Sequence, residues 1–112
     1  MVKVLRADAT IEVLLSGNVT VGTVAVVQNL LGVWMGSGVS GDKVAFAYRG
    51  YFSGVGKASG ATWATGQALY WNDASTYKDF QTGSTGASTI SNKAIAASVQ
   101  GSSDVAGDIV LF

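Results

Sequence analysis

Cysteine, histidine and proline are all absent from the 112 residues. Without cysteine there is no disulfide framework, no thiolate chemistry and no thiolate-bound zinc. Without histidine the chain lacks the commonest general base, the usual metal ligand and the side chain that titrates near neutrality. Without proline, its turns rest on glycine, asparagine, aspartate and serine. Charge is scarce as well: charged residues make up 12% of the chain, against about 25% in ordinary soluble domains. Seven Lys and Arg balance seven Asp and Glu, so the basic stripe of a nucleic-acid binder is missing. No run qualifies as a membrane helix. The apolar stretch 19–35 is broken by Thr20, Gly22, Thr23, Gln28, Asn29 and Gly32, and a span needs about 20 mostly apolar residues. The N-terminus has no apolar segment of the secretory type, so no leader is expected.

Apolar residues reach 48%. A freely exposed domain with so little charge and no net charge is poorly protected against self-association. This composition points to a surface covered in the working state, in an oligomer or a larger assembly. The length fits one domain with a core of its own.

Alternation of side chains places the strands. In residues 10–15, Ile11, Val13 and Leu15 share a face. The run 23–28 is apolar and β-branched on both faces, and Gln28-Asn29 turns it into 30–35 as a hairpin. The longest strand is predicted over 43–52, with Val44, Phe46 and Tyr48 on one side, Ala45, Ala47 and Arg49 on the other, and a bulge or bend at Gly50. Residues 68–71 form a short strand with apolar side chains on both faces, entered at Gly66 and ended by Asn72-Asp73. One short edge strand is expected within 74–81. The run 93–99 reads as a strand because turn signals flank it, despite its alanines. The last strand, 107–112, is expected to close the sheet against the first. No amphipathic helix of ten residues is present. Eight or so short strands with Gly/Ser turns give an all-β fold, a small single-domain barrel or sandwich. Residues 1–9 lack a period and are expected as an N-terminal arm, followed by the β domain at 10–112.

Candidate chemistry is thin. The run Gly54-Val-Gly56-Lys57-Ala-Ser59 fails as a phosphate loop. Position 51 is Tyr where a glycine is needed, position 58 is Ala where the hydroxyl is needed, and no helix follows. Asp73 and Asp79 are the only pair to weigh as glycosidase carboxylates, but Asp73 occupies a turn position. Asp104 and Asp108 are turn residues outside any calcium-loop pattern. Trp63, Tyr70, Trp71 and Tyr77 could stack on a sugar, although packing roles suit them better. No catalytic, cofactor-binding or metal-ligating residues, and no cofactor, are assigned.

Several segments together resemble the phage capsid-cement (head decoration) family. They are Thr10-Ile-Glu-Val13, Gly22-Thr-Val-Ala-Val-Val27 with Leu31-Gly-Val33, Gly41-Asp-Lys-Val-Ala-Phe46 and Gly50-Tyr-Phe52. Further along come Trp63-Ala-Thr-Gly-Gln-Ala-Leu-Tyr-Trp-Asn72, Lys93-Ala-Ile-Ala-Ala-Ser98 and Gly107-Asp-Ile-Val-Leu111. The most specific is Gly66-Gln-Ala-Leu-Tyr-Trp-Asn72, where the family usually shows Trp-Asp and this chain has Trp71-Asn72-Asp73. The resemblance implies a non-enzymatic β-barrel virion protein, made in the host cytoplasm, that binds the capsid exterior. It would brace the head by bridging major capsid protein subunits, often as a homotrimer, with no nucleic-acid or membrane partner. On this reading Val2, Lys3, Val4, Leu5 and Arg6 are candidate capsid contacts. Candidate self-association residues are Ala45, Ala47, Arg49, Tyr70 and Trp71, on the second face of either the 45–49 or the 68–71 strand. A carbohydrate-binding module displayed on a virion is the alternative.

Overall fold

The fourteen residues of β4 (Lys43–Gly56) carry the sheet, because they serve two different sets of neighbours along their length. The computed structural model describes residues 2–73, 79–83, 87–88 and 90–112. Around β4 lie β1 (Lys3–Leu14), β2 (Val24–Val27), β3 (Leu30–Trp34), β5 (Ala68–Asn72), β6 (Asp79–Gln81), β7 (Ala94–Ala96) and β8 (Ala106–Leu111), with no helix among the described residues. The order across the sheet is β2-β3-β4-β8-β7-β5-β6, with β1 on the other edge of β4, and every strand pairing is antiparallel. A parallel bridge from Lys57 to Phe80 brings β6 back toward the end of β4. The eight strands thus form one sheet curled into a half-barrel, as the turn spacing predicted.

The curl separates two cores. Inside it pack Leu31, Val33, Ala47, Phe52, Val55, Trp63, Leu69, Trp71, Phe80, Ile109 and Leu111, all nearly inaccessible. On the opposite face of β2-β3-β4 lies a smaller cluster of Leu15, Trp34, Val44 and Phe46, with Val13, Val19, Ala25, Val27, Leu30 and Tyr48 around it. The predicted alternation of β4 accounts for both: Phe46 serves the outer cluster and Ala47 the inner one. Gly32 makes this layering possible. A Cβ there would strike the Ala47 carbonyl oxygen and lie 2.7 Å from the Phe46 ring, so only hydrogen lets β3 lie so close to β4.

The predicted irregularity of β4 falls at Gly50, beside register shifts against β1, where φ is +147° and a Cβ would run into the Arg6 carbonyl. β4 does not stop there but continues to Gly56, four residues beyond the predicted end. Gly54, in a run that reads as a loop, has φ +76° at the register shift between Phe52 and Val55, and pairing with β8 resumes at Val55 and Gly56. β1 likewise begins at Lys3, so most of the stretch read as an arm is hydrogen-bonded to residues 49–53, with register shifts near Val4, Ala7 and Ala9. The final strand differs from expectation. β8 lies between β4 and β7 and does not pair with β1, because β4 has two edges and β1 occupies the other one. Residues 19–21 form only a single bridge, Val19 to Gly38. Of the edge strand expected in 74–81, β6 is the described part.

Candidate interaction surfaces

The strand 68–71 is two-faced. Leu69 and Trp71 point into the curl, while Ala68 and Tyr70 point out. Trp71 is 2% exposed, stacks at a tilt on Phe80 with centroids 4.9 Å apart, and donates its indole N–H to Asp73 Oδ1 at 3.2 Å. Ala47 is fully buried, Ala45 half-buried and Arg49 exposed. Of the five candidate self-association residues, Trp71 and Ala47 are therefore spent on the core. Tyr70, Arg49 and part of Ala45 remain at the surface, and Tyr70 has apolar company.

That company comes from strand register. Ala68 lies opposite Ile95, Ile95 opposite Val110, and Val110 opposite Tyr51. Partners across a ladder share a face, so these four form a row across β5, β7, β8 and β4 on the outside of the curl. Beside it, Ala68, Tyr70, Ile90, Ile95 and Phe112 line a groove of about 510 Å³ whose one charged wall is Lys93. Antiparallel sheets usually turn polar side chains to water on the face away from the core. This one turns aliphatic and aromatic side chains outward. The sequence hinted at it only through the double-faced 68–71 strand, since the row is assembled from four separate segments.

The candidate capsid-contact residues divide by the same alternation. Val2 and Val4 pack against the inner core, with Val4 opposite Phe52. Lys3, Leu5 and Arg6 are exposed, Leu5 by half its surface. Arg6 pairs with Asp8 at 2.9 Å on the open surface, a contact worth at most about 1 kcal/mol.

The polar candidates are structural. Lys57, from the failed phosphate loop, lies in extended chain at the seam where β4 meets β6. It is 4% exposed and donates from Nζ to the Ala58 carbonyl at 2.9 Å. Asp79, one residue before Phe80 in β6, has its carboxyl pushed above the usual value by burial, partly opposed by the Lys57 charge. With Asn72, Gln81, Ala58 and Ser59 it lines a recess of about 360 Å³. Asp73 accepts from Trp71, and Asp104 accepts the Gly101 N–H at 2.7 Å, as turn residues do. Among the described residues no group of three potential ligands could hold a metal.

Among the described residues, the two tryptophans weighed for a sugar platform face inward. Trp63 and Trp71 are each 2% exposed, and Tyr77 lies outside the described residues. The Trp63 ring covers Gly107, where a Cβ would sit 2.5 Å from it, and its buried indole N–H has no partner among the described residues. The residue that sequence reasoning missed is Asn92. Its amide accepts from Leu31 N–H at 2.9 Å and donates to the carbonyls of Leu31 and Tyr48 at 2.8 Å each. Nothing in the local pattern of 90–93 marks it, since its partners are 61 and 44 residues away.

No curated protein and no solved structure matches the chain. The family model of the phage cement proteins matches residues 5–110, from within β1 to within β8. Such a protein has a structural role at the phage capsid, in keeping with a charge-poor sheet that leaves an apolar face uncovered. The chain belongs to the phage cement protein family.

Proposed function

We propose that the protein binds the outer surface of a phage head and stabilises it by bridging neighbouring major capsid protein subunits, acting as a homotrimer. The observation that carries this reading is the family match over 5–110, and the geometry supports a division of labour. The outward row Ala68, Ile95, Val110 and Tyr51, with Tyr70 and Phe112 beside it, supplies the self-association face. Its centre is free of charge, as interface centres are. Lys3, Leu5 and Arg6, exposed at the start of β1, supply a contact to the shell, while Val2 and Val4 anchor that start to the core. Each contact is modest, and an oligomer that engages several subunits multiplies them by avidity.

Co-sedimentation with empty, undecorated heads tests the proposal. Saturable binding is expected, together with a rise in the temperature at which the heads come apart. The double variant Leu5→Glu, Arg6→Glu should bind at least tenfold more weakly while keeping its oligomeric state. Heads that neither retain the wild-type protein nor gain stability from it overturn the reading.

A further inference from the structure

The outward face of the β7–β8 ladder carries its charges at its two ends, and the ends are opposite in sign. Ala94, Ala96, Ile109 and Leu111 are buried in the curl, so alternation turns the residues between them outward. Backbone pairing sets those residues in three rows. Lys93 and Phe112 exchange two hydrogen bonds, at 2.7 and 2.9 Å. Ile95 lies opposite Val110. The Ala97 N–H donates to the Asp108 carbonyl at 2.9 Å. Lys93 and Asp108 thus stand about 13 Å apart, four residues of strand at about 3.3 Å each, with Ile95 and Val110 in the row between them.

Lys93 is exposed and Asp108 half-buried, and among the described residues neither side chain has an ion-pair or hydrogen-bond partner. Arg49 adds to the positive end. Gly50 lies opposite Leu111, which puts the exposed Arg49 one step on, in the row of Phe112 and Lys93. At the negative end Asp108 is the nearest charge to the centre. Lys3, opposite Ser53 on β1, stands two strands away from it, about 10 Å. A face that is positive at one end, negative at the other and apolar between is complementary to a copy of itself met head to tail. Two copies set level with each other would bring Lys93 to Lys93 and lose that match.

We infer that a second copy of this chain covers the face head to tail, so that Lys93 of one copy meets Asp108 of the next while Ile95 and Val110 fill the centre. This rests on the self-association part of the proposed function and gives it a register. Burial of the apolar middle supplies the affinity. The charge pair, modest by itself, decides which ends meet. In the homotrimer proposed above, each copy gives its positive end to one neighbour and its negative end to the other. The contact is then heterologous and closes into a ring, with the row of Ile95 and Val110 running along the threefold axis.

Sedimentation velocity of the full-length protein over a concentration series tests the inference. Lys93→Glu and Asp108→Lys should each weaken self-association at least tenfold. The double variant Lys93→Glu, Asp108→Lys should recover it to within about threefold of wild type, because a coupled pair is restored where two independent losses would add. Either single variant associating like wild type overturns the inference, as does a double variant no better than the singles. Lys93 is exposed, so Lys93→Glu decides alone if the Asp108 variant loses the dichroism of the fold. A mixture of the two single variants then reads the ring. Unlike neighbours are matched at their contacts and like neighbours are not, and a ring of three always keeps one like contact. Partial recovery in the mixture therefore supports the trimer. Full recovery keeps the Lys93–Asp108 contact but overturns the trimer in favour of a closed pair. Wild-type protein that stays monomeric at every concentration overturns self-association itself, a result distinct from association that ignores these charges.

Discussion

Asp79 is the carboxylate that the fold disfavours in its charged form. Burial stabilises the neutral acid, so the folded chain holds this proton to a higher pH than the unfolded chain, whose value is near 3.8. Between 3.8 and the raised value the folded state binds more protons, and stability falls as pH rises through that window. The stabilising contribution of protonated Asp79 is complete below 3.8 and lost above the folded pKa. Asp79→Asn should therefore be at least as stable as wild type at pH 7, with the difference shrinking to nothing as pH falls below 3.8. Urea unfolding of both proteins across pH 3 to 7 measures this, and a gap that widens toward acid would refute the assignment. The sequence showed Asp79 as a polar residue next to Lys78. Its burial beside Lys57 was not legible, because the seam joins segments more than twenty residues apart. The tryptophans are a contrasting case. Packing roles for Trp63 and Trp71 were favoured from residue type alone, since large aromatic surface is costly to leave in water, although Trp71 was also a candidate for the self-association face.

At the scale of elements, most strands were legible because a side-chain period of two is a local property. The β2–β3 hairpin shows it well: Gln28 and Asn29 take φ of +50° and +71°, as a two-residue turn of this kind requires. Strand ends were less legible. β4 runs through glycines that resemble a loop, and β1 extends into a stretch without periodicity, because pairing with a long neighbour overrides local preference. The same limit hid Asn92. β3 meets β4 through only two paired positions, Val33 with Ala47 and Trp34 with Phe46. Beyond them the Asn92 amide spans the gap between Leu31 and Tyr48. Asn92→Ala leaves three backbone groups at a partly buried site without partners, and should cost roughly 2–4 kcal/mol. A lower urea midpoint with an unchanged slope would confirm that cost. A loss under about 0.5 kcal/mol would show that water replaces the amide there.

For the whole molecule, the balance of charge and apolar surface leads to one expectation about assembly. The outward face of β5, β7 and β8 is where a charge should matter most. Ile95 sits at the middle of its row and is only half-buried in the single chain. Ile95→Lys should weaken self-association at least tenfold and leave the far-ultraviolet dichroism of the fold unchanged. Sedimentation velocity over a concentration series reads this directly. A variant that stays fully associated would move the interface elsewhere, with the exposed Val99 and Val105 beside the Gly101–Asp104 turn as the next place to look.

The amino-acid order by itself determined most of the strands, the principal hairpin, the irregularity at Gly50, the absence of thiol and imidazole chemistry, and the likeness to cement proteins. Each of these follows from neighbours close along the chain or from composition. Only the tertiary structure decided which faces are spent. It sent Trp71 and Ala47 inward, aligned Ala68, Ile95, Val110 and Tyr51 into one outward row, and placed β8 between β4 and β7. It also capped the outer side of β3 with Asn92. Those outcomes depend on which distant strands pair and in what register, and a register is settled by burial of the whole sheet at once.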